Sequence, residues 1–293
     1  MQITLRQLEI FAAICQEGTI TRAASRIGLS QAATSQALAE LENQLQRRLF
    51  DRNGRRLKQN AAGSDLLPGA IEVLDRIREI ERHTGTPSFH IRLCASLTVG
   101  NYMLPPFIGR FARRHPDACF QMEVGNTEHV IASVRKFESD AGWIEGLARD
   151  PHLRSFIWRQ DRLAIIAAPG HGLAGRKASP EALAQASWVL REKGSGTREV
   201  FEEAIAGRFS LLRVPVELGG IGAVKRAVMA GVGLSCISRS TIELELKAGQ
   251  LALVQTPWLN LRRQITVLIH RQKYVDRSLG AFLGFCGVEV APS

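Results

Sequence analysis

The chain has 293 residues, 45% of them hydrophobic and 23% charged, with a formal net charge of +10, which describes a globular protein long enough to bury sizeable cores in about two domains. No stretch of about 18 apolar residues could span a membrane, and Arg6, Glu9 and Glu17 interrupt the apolar core that a signal peptide needs, so a cytoplasmic protein is expected. Cys15, Cys94, Cys119, Cys236 and Cys286 stand singly with no CxxC pair, so neither a disulfide framework nor a zinc ribbon is encoded. The histidines show no metal-ligand spacing, and neither a metal nor a cofactor is expected.

The basic excess needs locating before it is used. Residues 1–90 hold 12 Lys and Arg against 10 Asp and Glu, so most of the surplus lies further on. One local cluster is sharper: Arg47, Arg48, Arg52, Arg55, Arg56 and Lys58 stand close together, opposed by Asp51 alone. Such a run is either a solvated basic loop or a nucleic-acid contact.

In chain order, Leu5, Leu8, Phe11, Ala12 and Ile14 recur at helical spacing up to Glu17-Gly18. Thr19 or Thr21 can cap a short second helix that Gly28 ends, and Ser30 can cap a third running to about Leu45. Three short helices with a tight turn between the last two form a helix-turn-helix pattern. At ~100° per residue, Thr34, Leu38, Leu41 and Leu45 share an arc of about 60°, while Gln31, Ala32, Ser35 and Gln36 occupy another about 120° away. The first arc builds core. The second, uncharged and carrying small, amide and hydroxyl groups at a helix start, is either a plain exposed face or one suited to a major groove.

The whole run "LRQLEIFAAICQEGTITRAASRIGLSQAATSQALAELENQLQRRLFDRNGRRL" resembles the winged helix-turn-helix domain of LysR-type transcriptional regulators. The resemblance places base contacts on Gln31, Ala32, Ser35 and Gln36, and minor-groove or phosphate contacts on Arg52, Arg55 and Arg56 of the wing. Three positions depart from the family pattern. Ala32 replaces a common proline, Gln36 a frequent arginine, and Gln46 a usual glycine, so Gln46 must adopt a left-handed conformation or mark a different turn.

Asn60 can cap the next helix, in which Leu66, Ala70, Val73, Ile77 and Ile80 repeat at spacings of four and three, widened by Leu67, Ile71 and Leu74. A first domain of about 60 residues offers little surface for so long a helix, so the seam predicts a homodimer through residues 60–82, as the family resemblance also implies; Pro68 could bend it, and "HTGTPS" reads as a hinge. Beyond it, apolar runs at 91–95, 119–124, 141–144, 163–168, 188–190, 214–218, 234–237 and 264–269 alternate with helical stretches at 104–114, 127–136, 198–206, 221–230 and 239–247. This predicts an α/β domain with mainly parallel strands. Through "ASLTVGNYMLPPFIGRFARRHP", "GNTEHVIASV", "SDAGWIEG" and "LGGIGAVKRAVMAGVGLSCISR" it resembles the LysR-type effector domain, two periplasmic-binding-protein-like lobes.

The expected division is a winged domain at 1–59, a linker helix and hinge at 60–88, and an effector domain at 89–293, with one lobe at about 89–162 and 265–293 and the other at about 163–264. Ligands of open α/β sheets bind beyond the carboxyl ends of strands. Loops there hold Ser96, Thr98 and Asn101, then Thr127, then Ser195 and Thr197, each singly an ordinary helix cap but jointly on the family's effector positions, with Glu145 at the interlobe crossing as ligand contact or hinge. "SLTVGNYMLP" and "GSGTRE" resemble the sulfite-responsive and carbon-fixation members, which implies a small oxyanion or a phosphorylated or carboxylated metabolite as effector.

Rival classes lack their signatures: GxxxxGK[ST] and HExxH are absent, Lys193-Gly194 before Ser195 breaks GxSxG, and a transport receptor has no use for residues 1–58. The sequence therefore predicts a non-enzymatic regulator that binds double-stranded promoter or operator DNA and a small, anionic effector, dimerises, and pairs into a homotetramer as the family does.

Overall fold

A computed structural model describes residues 3–53, 56–83, 89–207 and 212–290. The first helix, α1 (Leu5–Glu17), begins at Thr4, whose hydroxyl accepts from Gln7 N while the Gln7 side chain returns the bond to Thr4 N. This reciprocal cap satisfies two of the four amides that every helix start leaves unpaired. For α2 (Ile20–Ile27) the cap is Thr19, and Thr21 instead donates to Gln31 Oε1 at 3.3 Å. Gly28, at φ 69°, supplies the left-handed residue that ends α2, and Ser30 caps α3 (Gln31–Leu45) by accepting from Ala33 N. Gln46 takes the left-handed conformation at φ 52°, a strain of roughly 1–2 kcal/mol that a glycine would not carry. Strands β1 (Phe50–Asn53) and β2 (Arg56–Gln59) form an antiparallel wing, tied to the turn after α1 by Leu57 N donating to Gly18 O at 3.0 Å.

Asn60 accepts from Gly63 N at 3.0 Å and caps α4 (Ala61–His83). The seam read from the sequence divides between two environments. Leu67, Ala70, Ile71 and Leu74 are buried with Phe11, Leu38 and Phe50 in the helix-turn-helix core, so the small domain does cover the first half of α4. Val73 and Ile80 remain 41% and 61% exposed. The hinge expected at 83–88 lies, beyond His83, outside the described residues.

The effector half docks on this assembly from lobe one. Phe137, at φ 57°, is buried in the same core as α1 and α4, and Gln16 Nε2 donates to its carbonyl at 3.1 Å. Below it, Lys273 pairs with Asp75 of α4 and, at 2.9 Å, with Asp140, which Arg92 also grips at 2.7 Å. Lys273, Asp75 and Asp140 are all buried.

The effector half runs β3 (His90–Ser96), a π turn at Val99–Met103, α5 (Pro105–Arg114), β4 (Cys119–Gly125), α6 (Thr127–Arg135), β5 (Ala141–Glu145) and the long β6 (Leu153–Ala167). It continues through α7 (Pro180–Gln185), β7 (Ser187–Arg191), α8 (Gly196–Ile205), β8 (Arg213–Leu218), α9 (Ile221–Met229), β9 (Ser235–Ser238), a 3-10 turn, α10 (Glu243–Lys247), β10 (Ala252–Val254), β11 (Arg262–His270) and α11 (Arg277–Phe285). A seven-stranded sheet has the order β10-β6-β11-β5-β3-β4, with β9 also on β6. β7 and β8 form a separate parallel pair.

The sheet is mixed rather than mainly parallel. β3 pairs parallel with β4 and β5, but β11 runs antiparallel to β5 and β6, and β9 and β10 run antiparallel to β6. The cause is the pair of crossing strands: β6 lies beside β11 up to Arg162 and beside β9 and β10 from Leu163, so chain passing between lobes enters each sheet against its neighbours. Lobe one packs around Phe111, Trp143 and Phe282 on one side of its sheet and around Val130, Ile144 and Leu268 in a second cluster. Lobe two packs around Trp188, Phe201 and Leu163 and around Val189, Val224 and Ile237. Among the described residues no helix is long and apolar enough to cross a membrane.

Candidate DNA-reading face and interlobe effector site

On α3 the division into two faces is physical. Thr34, Leu38 and Leu41 are buried, and the Thr34 hydroxyl is spent on Ser30 O at 2.9 Å. Gln31, Ala32 and Gln36 are exposed and Ser35 is half-buried. The Gln36 amide donates to Glu40 Oε1 at 2.9 Å, so a carboxylate borders the face that the sequence made wholly uncharged. Any partner using that amide must break this bond or share it. Arg56 is exposed on β2; Arg52 pairs with Leu57 through the backbone, while its side chain and all of Arg55 lie outside the described residues.

Between the lobes, the strand ends bring six of the seven expected residues into burial: Ser96, Thr98, Thr127, Glu145, Ser195 and Thr197. Thr127, at the start of α6, donates to Glu145 Oε2 at 3.3 Å and accepts from Gly196 N at 3.1 Å, so one hydroxyl joins lobe one to the start of α8 in lobe two. Glu128 N donates to Gly194 O across the same gap at 3.4 Å. The approach at Gly196 leaves no room for a side chain: a Cβ there would lie 2.7 Å from Thr127 Oγ1 and 2.9 Å from Glu145 O. Asn101 takes no part in these bonds; it is exposed, and its amide donates to Leu97 O in its own turn.

The centre of the site is a residue absent from the sequence-based set. Arg263, 1% exposed at its side chain, donates through Nε to Asp161 Oδ2 at 2.7 Å, through Nη1 to Thr197 Oγ1 at 2.9 Å, and through Nη2 to Thr98 Oγ1 at 3.4 Å. Its Nη2 also lies 3.8 Å from Glu145 Oε1. One guanidinium thus binds hydroxyls of both lobes and faces two carboxylates. Burial opposes ionisation of Glu145, but Arg263, aided by Thr98, outweighs it and holds the carboxyl below its ordinary range. Ser96, fully buried, lies beside the same carboxylate and its hydroxyl also favours the ionised form.

A signal for Arg263 existed in its strand. It shares parity with Ile265, Val267 and Ile269, which are buried, and a charge at an inward position of a strand needs a partner. The fold also gathers Cys94, Glu123 and His129, from β3, β4 and α6, with ligand atoms within 4.8 Å of one another. Spacing along the chain concealed that grouping. Burial pushes the Cys94 thiol up to about 12, so it is a protonated core group in this arrangement, while Glu123 and His129 pair at 3.0 Å.

Comparison with known proteins agrees with this architecture. The family model "LysR substrate binding domain" matches residues 84–290, and "Bacterial regulatory helix-turn-helix protein, lysR family" matches residues 5–64. A protein of Escherichia coli K12 described as an uncharacterized HTH-type transcriptional regulator, YeiE, is 41% identical over 286 residues, 98% of each chain. A full-length OxyR variant from Pseudomonas aeruginosa superposes with a TM-score of 0.76 at 20% identity, over 98% of this chain and 95% of that one. The regulatory domain of Synechocystis PCC6803 CcmR, solved in complex with 2-PG, gives a TM-score of 0.63 at 25% identity, over 70% of this chain and 99% of that one. With a helix-turn-helix at its start, a linker helix and a bilobed ligand-binding half, each half matched by its own family model, the chain belongs to the LysR family of DNA-binding transcriptional regulators.

Proposed function

We propose that this regulator reads operator DNA with Gln31, Ala32, Ser35 and Gln36 in a major groove and with Arg52, Arg55 and Arg56 on the flanking backbone or minor groove. A small anionic effector between its lobes sets the spacing of paired DNA heads. The exposed start of α3 supports the first part, because short residues permit close approach and free amides favour phosphates. The observation that carries the second is the convergence of Arg263, the Thr98, Thr127 and Thr197 hydroxyls and the starts of α6 and α8 on one buried point. The effector set is Ser96, Thr98, Asn101, Thr127, Glu145, Ser195 and Thr197, joined by Arg263. The functional division is 1–59, 60–88 and 89–293, with dimers through the linker helices and tetramers through effector domains.

A duplex from upstream of the gene should bind with a steep salt dependence, each phosphate contact contributing about 0.9 to the log–log slope. Gln31→Ala should weaken the operator far more than random duplex, and Arg56→Ala should weaken both. Operator affinity unchanged in both variants at fixed salt would reject the reading face. Small-anion binding that survives Thr98→Ala combined with Ser195→Ala would reject the interlobe site.

A further inference from the structure

Beyond DNA and effector, we propose that Cys94, Glu123 and His129 form a zinc site on lobe one, holding the cation through one sulfur, one imidazole nitrogen and one carboxylate oxygen. Three elements converge there. β3 and β4 run parallel with Cys94 directly opposite Glu123, which sets both side chains on the same face of the sheet. The Asn126 side chain caps α6 by accepting from His129 N at 2.8 Å, which fixes the first turn of that helix beside the pair. Gly125 makes the seat for the ring: a Cβ there would lie 2.4 Å from His129 Cδ2, so a side chain at this position would push the imidazole away. His129 Nε2 already meets Glu123 Oε1 at 3.0 Å, and the three ligand atoms lie within 4.8 Å of one another.

Ligand atoms on a tetrahedral zinc stand roughly 3.3–3.6 Å apart, given bonds of about 2.0–2.3 Å. Cys94 is fixed in a core with Val130, Val134 and Ile144, so closing the remaining gap falls to His129 and Glu123, whose side chains are 42% and 60% exposed and have room to turn. Charge favours a cation. Glu138 adds a second carboxylate to the field at the thiol, while the basic groups on the same elements each bring a counter-charge: Arg92 holds Asp140 at 2.7 Å, Arg135 faces Asp150 at 3.9 Å, and Lys136 faces Glu138 at 3.8 Å. A sulfur and an imidazole among the donors disfavour Mg2+ and Ca2+, which take oxygen, and suit Zn2+. Binding is an exchange: the Cys94 S–H bond breaks, its electron pair goes to the metal and its proton to solvent, and His129 binds as the neutral ring. Three protein ligands leave the fourth position open to water or a second ligand. A metal held in this way ties the first turn of α6 to β3 and β4, and that turn begins with Thr127, which bridges the lobes through Glu145 and Gly196.

Cobalt(II), which takes the same ligands and reports them in its absorption spectrum, is the first probe, added to the full chain after treatment with EDTA and without a histidine tag. One equivalent should raise a near-ultraviolet thiolate-to-cobalt charge-transfer band, which an equal amount of Zn2+ abolishes and a large excess of Mg2+ leaves in place. Calorimetry with Zn2+ in two non-chelating buffers of different ionisation enthalpy should show about one proton released per metal bound. His129→Gln and Glu123→Gln, both at exposed positions, should each weaken Zn2+ binding about tenfold or more, with folding checked by circular dichroism. Cys94→Ser should remove the cobalt band, whereas Cys119→Ser, at an exposed thiol, should leave it intact. A native protein that gives no charge-transfer band overturns the proposal. So does a band lost with Cys119 rather than Cys94, or a zinc affinity that survives both His129→Gln and Glu123→Gln, since the metal would then sit on other surface groups.

Discussion

Replacing Lys273 by methionine tests whether the helix-turn-helix assembly and the effector half are held together by the charge cluster beneath Phe137. Lys273 pairs with Asp75 of the linker helix and with Asp140 of lobe one, and all three are buried. The substitution keeps the aliphatic stem but leaves two buried carboxylates whose remaining ion-pair partners among the described residues are Arg92 and Arg78. Removing one partner of a buried pair costs about 3–5 kcal/mol, because the remaining charge stays desolvated. At roughly 2–4 °C per kcal/mol for a chain of this size class, the melting temperature should fall by roughly 6–20 °C. Burial opposes ionisation of Asp140, but Lys273 and then Arg92 outweigh it and hold the carboxyl well below its ordinary range. Burial likewise opposes the charge on Lys273, which Asp140 and Asp75 restore and raise above its ordinary value. The stabilisation is then present above the ordinary aspartate pKa of about 3.9, lost as pH falls through the lower folded value, and lost again only as pH rises past the ordinary lysine value of about 10.4. Thermal unfolding at pH 7, with Asp75→Asn and the double variant completing a cycle, measures it. A fall under about 2 °C, or strict additivity of the two substitutions, would refute the idea that this cluster joins the two halves.

Gly196→Ala should separate closure from folding: the new Cβ meets a hydroxyl and a backbone carbonyl of the other lobe, so ligand affinity should drop about tenfold or more while the melting temperature moves little, and calorimetry showing native affinity would contradict the close approach. Burial, reinforced by His152 whose ring stacks on it at 6.3 Å, pulls His270 down to about 4. It is therefore held neutral, and stability should be full above about pH 6.5 and decline as pH falls toward 4. His270→Gln should flatten that decline, and an unchanged pH profile in urea titrations would count against it. Val73→Glu with Ile80→Glu places charge on the exposed stripe of α4 without touching the residues buried in the helix-turn-helix core. Light scattering should show a smaller assembly, and an unaltered mass would exclude that stripe as the dimer seam.

Local chemistry was enough for the first 60 residues. Caps at Thr19, Ser30 and Asn60, the stop at Gly28 and the two faces of α3 depend on groups within a few positions of each other, and periodicity reports them directly. The hydroxyl-bearing loops at the strand ends were legible for the same reason, since each begins or precedes a helix. Other features required the tertiary structure. Arg263 becomes a site residue only when the fold sets it against Thr98, Thr197, Asp161 and Glu145, groups up to 165 positions distant. Antiparallel pairing of β11 follows from where the chain crosses between lobes, which apolar runs do not encode. The seam of α4 was visible as a stripe, but which half faces its own domain was decided by packing against Phe11, Leu38 and Phe50. Sequence alone thus determined the family, most of the elements and the hydroxyl-bearing loops, while β10, α7, α11 and the first half of β6 emerged only in the fold; the fold alone decided the balance of buried charge between the lobes, because that balance is a sum over groups that only three-dimensional proximity brings into one low-dielectric space.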